Sequence, residues 1–142
     1  NVNGMAKITE TFEEGTRRGA KLDLTPCYNN VESVGRTIAL VDNQKLEVHD
    51  SLTPTKDVKM VWTLVTDKST ELSVIDDTTI RMVRGEKSVL VSCVASVPVV
   101  ASTWWCKATT AYESADANCL GFKTSLPAHT TTTITVTLKP EQ

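Results

Sequence analysis

With 142 residues, 40% of them hydrophobic and 23% charged, the chain is long enough to bury a core without metal or disulfide staples, and residues 1–142 are expected to form one domain. The formal net charge of −2 comes from interspersed charges with no basic block, which excludes the electrostatic footprint of a nucleic-acid binder and leaves any anionic polymer to be held by local charge. No apolar run approaches the roughly 20 residues of a membrane-spanning helix, so no membrane partner is expected, and the opening Asn-Val-Asn-Gly, with neither the basic nor the apolar zone of a secretion signal, reads as a piece of something longer.

In chain order, strands are expected at Ala6–Phe12, Lys21–Leu24, Arg36–Val41 and Lys45–His49. In the last of these Leu46 and Val48 alternate with Lys45, Glu47 and His49, the period of a strand with one wet face. Val58–Thr66 differs: Met60, Trp62 and Leu64 face one way, Val61 and Val65 the other. That pattern predicts a central strand covered on both sides. Further strands are expected at Glu71–Ile75, Thr79–Val83, Lys87–Ala95, Thr103–Lys107, Leu120–Thr124 and Thr130–Leu138, where Ile134, Val136 and Leu138 alternate with threonines. Asp42-Asn43 and Arg84-Gly85-Glu86 sit at hairpin spacing, with residues that tolerate positive φ. Pro54, Pro98, Pro127 and Pro140 fall in loops or at strand ends, where a missing N–H breaks no ladder bond. No long helical period competes, so the fold class is all-β, an antiparallel β-sandwich of roughly ten or more short strands.

The four cysteines, Cys27, Cys93, Cys106 and Cys119, include no C-x-x-C pair, and with only His49 and His129 beside them no metal site is expected. Cys106 and Cys119 bracket a polar segment and could close a loop disulfide. Cys93 shares a strand face with Val89 and Val91 and is expected to be a buried, inert thiol. His49 and Asp50 are neighbours, but adjacent strand residues point to opposite faces, so a solvated histidine is expected rather than a catalytic dyad. Trp104 and Trp105 are the best candidates for sugar contact, because an aromatic face can stack on the apolar face of a pyranose; packing of one in the core and of the other under the Cys106–Cys119 loop or against another domain is the competing reading. Arg17, Arg18 and Lys21 make a small basic cluster able to hold a carboxylate or sulfate, although a solvated turn accounts for them as well.

One stretch carries a resemblance. Ala20–Leu52 runs through Asp23-Leu24-Thr25 and Tyr28, then Arg36-Thr37-Ile38-Ala39-Leu40, into a hairpin closing with Glu47-Val48-His49-Asp50. Residues 57–66 follow as a Trp-bearing strand ending at Thr66, then the Asp76–Arg84 hairpin, and Pro127–Pro140 ends in Leu138-Lys139-Pro140. In order and spacing these features resemble the C-terminal sandwich region of heparinase II/III-like polysaccharide lyases, and the match covers nearly the whole chain. The resemblance implies a parent enzyme that cleaves uronic-acid-containing polysaccharides by β-elimination, with a helical toroid and further sheet domains as this chain's partners. Its Tyr and His come from regions preceding the Asp-Leu-Thr segment, so no catalytic residue is carried over, and Tyr28 matches a sandwich tyrosine expected to pack. No cofactor is implied. An acidic polysaccharide is the implied ligand, and a periplasmic or secreted location is implied by the resemblance alone. The alternatives are a freestanding carbohydrate-binding or adhesion sandwich, and a purely structural immunoglobulin-like module.

Overall fold

The computed structural model describes residues 4–107 and 116–142. Among them eleven strands follow in order: β1 (Lys7–Glu14), β2 (Arg17–Asp23), β3 (Val31–Val41), β4 (Lys45–Pro54), β5 (Val58–Asp67), β6 (Glu71–Asp76), β7 (Thr79–Arg84), β8 (Lys87–Ala95), β9 (Val100–Cys106), β10 (Ala117–Leu126) and β11 (Thr132–Pro140). A single 3-10 turn, Thr25–Cys27, separates β2 from β3. The all-β expectation holds, with every pairing antiparallel.

Turn chemistry places the hairpins. Asp42 and Asn43 both sit at positive φ, 54° and 53°, joining β3 to β4, and Gly85 at 58° joins β7 to β8. The chain also turns at Gly15, φ 60°, between β1 and β2. That hairpin draws Arg17 and Arg18 into strand β2 instead of leaving them in a loop.

Two sheets result, one of eight strands in the order β1-β2-β3-β4-β11-β8-β7-β6 and one of three in the order β5-β10-β9. They pack through one apolar cluster, to which β4, β11, β8 and β7 contribute Val48, Ile134, Val136, Val91, Cys93 and Ile80, and the small sheet contributes Trp62, Ala101, Leu120 and Phe122. Cys93 is buried as expected, and burial pushes its thiol pKa up to about 11.

Strand β5 departs from expectation. It is an edge strand covered on one face, and the middle strand of the small sheet is β10. Met60, Trp62 and Leu64 pack against the core, whereas Val61 and Val65 are 43% and 64% exposed. A doubly apolar strand can mean two covered faces or one covered face beside an apolar surface, and periodicity alone does not separate the two.

Candidate functional site

The four residues singled out for carbohydrate contact are not brought together. Arg17 and Arg18 lie on β2, near one end of the large sheet, while Trp104 and Trp105 lie on β9, which packs beside β6 at the other end. The basic cluster is neutralised locally. Arg17 stands 5.2 Å over the ring of Phe12 and 3.9 Å from Glu47, Arg18 donates to Asn43 Oδ1 at 2.9 Å, and Lys21 donates to Glu10 Oε2 at 3.0 Å. On β1 the residues opposite Arg17 and Arg18 are Glu14 and Glu13, so a polyanion meets carboxylates there as well as guanidinium groups.

The tryptophans differ in exposure, Trp105 being exposed and Trp104 only partly so. Trp104 is in register with Cys119 of β10, and Trp105 with Asn118. Because Leu120 and Phe122 fill the core, Cys119 and Gly121 point to the outer face of the small sheet, and Trp104 goes with them. Its ring lies along the bare backbone of Gly121. A Cβ built there would stand 2.9 Å from Trp104 Cη2, 2.9 Å from Val61 Cγ1 and 2.4 Å from the Trp62 carbonyl oxygen. Gly121 is therefore required by close approach. Trp105 has the parity of Ala101 and Thr103, the core side, yet it lies at the strand end and is 50% exposed. Neither tryptophan belongs to the core cluster; the core tryptophan is Trp62.

At the same end of the sheet Cys106 Sγ is 3.1 Å from Cys119 Sγ, both as free thiols, on diagonal positions of the β9–β10 ladder. Burial first, then the neighbouring Cys106, pushes the Cys119 thiol pKa up to about 11. Much of the segment between them, residues 108–115, lies outside the described residues.

A cleft of about 430 Å³ opens between the two sheets where β5 faces β3 and β4. Its walls include Tyr28, Val34, Leu52, Met60 and Trp62, with the Arg36–Asp50 pair at its margin. Asp50 shares the inner face with Val48 and is buried, which a carboxylate tolerates only when paired. Arg36, directly opposite on β3, supplies both bonds at 2.7 Å, and those bonds hold the guanidinium pKa above its ordinary value. Trp62 Nε1 is buried and finds no hydrogen-bond partner among the described residues. Tyr28 is 53% exposed, which corrects the expectation that it packs: the 3-10 turn ahead of it lifts it to the rim of the cleft.

The histidines are surface groups. His49 points away from Asp50, as strand parity requires, and meets Thr135 Oγ1 at 2.8 Å. His129 pairs with Glu32, both exposed. Among the described residues no group of three His, Cys, Asp or Glu side chains is placed to hold a metal ion, and no helix is long and apolar enough to cross a membrane. Sequence reasoning missed Lys59, Lys123 and Gly121 on the outer face. The alternation of Lys59 with Met60 and of Lys123 with Phe122 and Thr124 was the available signal.

No protein-family model and no curated protein matches the sequence. Solved structures do share the fold. A crystal structure of heparinase III superposes with a TM-score of 0.76 at 13% identity, covering 95% of this chain and 21% of the heparinase. A further heparinase III structure gives 0.73 at 15% identity, covering 96% of this chain and 21% of that one. Heparan sulfate lyase HepC from Pedobacter heparinus gives 0.72 at 9% identity, covering 96% of this chain and 22% of the lyase. This chain thus spans about a fifth of the length of the lyases whose fold it shares.

Proposed function

We propose that this chain is the C-terminal accessory β-sandwich of a heparinase II/III-like polysaccharide lyase, exported to the periplasm or beyond, which buttresses the catalytic domains and is not catalytic alone. The observation that carries this reading is the shape match, which takes in 95% of this chain but only 21% of a heparinase III. The uneven sandwich supports it. A three-stranded sheet cannot cover an eight-stranded one, and β1 and β2 contribute nothing to the core cluster, which suits a surface that meets further domains.

β-Elimination requires a base to take the proton at C5 of a uronate, a group that neutralises the adjacent carboxylate, and departure of the C4 oxygen with its bonding electrons as the C4–C5 double bond forms. The outward histidines, bonded to Thr135 and Glu32, do not converge on Tyr28 in the cleft lining. On this reading the base and its partners are supplied by the other domains. Incubating the isolated chain with heparan sulfate, heparin, alginate and hyaluronan should produce no ultraviolet absorbance from unsaturated uronates, while the full parent enzyme produces it. Sustained turnover abolished by a point substitution in this chain would overturn the proposal.

A freestanding carbohydrate-binding sandwich is the second reading, favoured by the outward position of Trp104. The natural coding sequence upstream of Asn1 separates the two: a helical, lyase-like region supports the accessory domain, and its absence supports the binding module.

A further inference from the structure

The outer face of the small sheet combines features that stability does not require. Along β5 it presents Lys59, Val61, Thr63 and Val65; along β10, Cys119, Gly121, Lys123 and Ser125; along β9, Val100, Ser102 and Trp104. Val65 and Val100 are 64% and 53% exposed, an apolar surface with nothing over it among the described residues. Lys123 is in register with Val61, and Lys59 with Ser125, so the two lysines are diagonal neighbours about 7–8 Å apart. Neither joins an ion pair among the described residues, although the chain as a whole carries net charge −2. A shallow trough of about 540 Å³ runs between them, walled by Val61, Pro98, Val100 and Ser125. The nearest acid along the strand, Asp57, is engaged in accepting the Ala128 N–H at 2.8 Å.

From this juxtaposition we propose that the outer face of the β5-β10-β9 sheet is a binding site for an anionic oligosaccharide, with Trp104 as the stacking platform and Lys59 and Lys123 as the anion contacts. Chemistry and spacing are complementary. A pyranose offers an apolar C–H face to an aromatic ring, and a uronate or sulfated sugar carries a charge at its edge. The far end of the Trp104 ring reaches Gly121, and Lys123 stands two residues further along the same strand, about 7 Å away. A sugar stacked on the ring therefore places its anionic substituent within reach of the Lys123 ammonium, and the next residue of the oligosaccharide meets Lys59. Gly121 has the role that a missing side chain allows: it lets the ring lie flat against the sheet. The two amines are open to solvent, so the attraction is screened, and each contact contributes through charge-assisted hydrogen bonding more than through long-range field. The site lies apart from the Arg17–Arg18 cluster, which spends its charge on Glu47, Asn43 and the Phe12 ring.

This inference rests on the lyase-domain reading for the identity of the sugar, but its test is separate. The 142-residue chain is titrated calorimetrically with a size-defined heparan sulfate hexasaccharide, with neutral maltohexaose and with potassium sulfate, at low and at moderate salt. Saturable binding of the hexasaccharide alone is expected, weakened about tenfold between 50 and 300 mM salt. Trp104→Ala should weaken it at least tenfold, and the Lys59→Ala/Lys123→Ala double variant likewise. Lys139→Ala, an exposed cation on the other sheet, should leave it unchanged. Trp104→Phe keeps an aromatic ring over Gly121, and it should retain partial affinity with an unaltered thermal midpoint, which separates loss of stacking from loss of fold. Absence of hexasaccharide binding, equal response to sulfate alone, or binding indifferent to all three site residues would overturn the proposal. So would a parent enzyme whose KM for polysaccharide is unmoved by the lysine double variant, a result that leaves the accessory-domain reading standing. If the face is instead covered by another domain of that enzyme, the full-length protein shields Trp104 from quenchers while the isolated chain does not, and the site proposal fails.

Discussion

The two faces of the β5-β10-β9 sheet are built from the same strands by the same alternation, yet they do different work. The inner face carries Trp62, Leu64, Ala101, Leu120 and Phe122 and closes the core; Trp62 and Phe122, in register, hold their ring centroids 6.4 Å apart at 49°. The outer face carries Val61, Val65, Val100, Trp104 and two lysines, and much of it is open. Burial is what converts an apolar side chain into stability, at roughly 25 cal/mol per Å² removed from water, so similar residue types are structural on one side and available for contact on the other.

Truncation gives the largest contrast. Phe122→Ala should lower unfolding free energy by about 3–5 kcal/mol in chemical denaturation, because it leaves a cavity in the core, whereas Val65→Thr on the other face should stay within about 0.5 kcal/mol. Equal losses at the two positions would erase the distinction between the faces.

At the edge of that core, Asp50→Ala should cost about 3 kcal/mol by the same measurement, since it strands the Arg36 guanidinium in the inter-sheet cleft. Replacing the pair together by apolar residues should recover much of the loss, which separates the penalty of a lone charge from any worth of the pair.

Cross-linking acts on the outer face. Treatment with a low-molecular-weight disulfide should join Cys106 to Cys119 as the reagent is reduced to two thiols and the protein loses two hydrogens, a mass change absent in Cys106→Ser. Closing a loop of this length should add about 3 kcal/mol by the chain-entropy model. No mass change after prolonged exposure would show that the diagonal strand geometry forbids the bond.

A titration returns to the core. Burial raises the folded-state pKa of the Cys93 thiol to about 11, so its neutral form is the one the fold favours. The stability it contributes is complete below the ordinary thiol pKa of 9.0 and is lost as pH rises through 11, a change of roughly 3 kcal/mol. Cys93→Ala should lessen that alkaline decline in denaturation curves measured from pH 8 to 11, leaving the part that the raised Cys119 thiol contributes.

Much of this fold is legible in local pattern. Lys87–Ala95 reads from the sequence as the strand the structure contains, and Asp42-Asn43 and Gly85 mark their hairpins because few other residues accept positive φ. The β1–β2 hairpin is less legible, since Lys7–Glu14 mixes exposed charges with isolated apolar residues, and the start of β2 is masked by its two arginines. Of the candidate site, Trp104 is legible as an aromatic on a strand, but its platform is not: Gly121 and Lys123 are more than a dozen residues away in sequence, and only the β9–β10 and β5–β10 registers bring them beside it.

By itself the sequence determined where the strands run, the alternation within them and most of their turns, because side-chain parity and positive-φ residues act within a few positions of the chain. Which strand lies at an edge, which apolar face stays open, and which cations stand free beside a tryptophan were decided only by the tertiary structure. Those outcomes depend on which strands pair and which sheet covers which, and they are set by the summed burial of residues far apart in the chain.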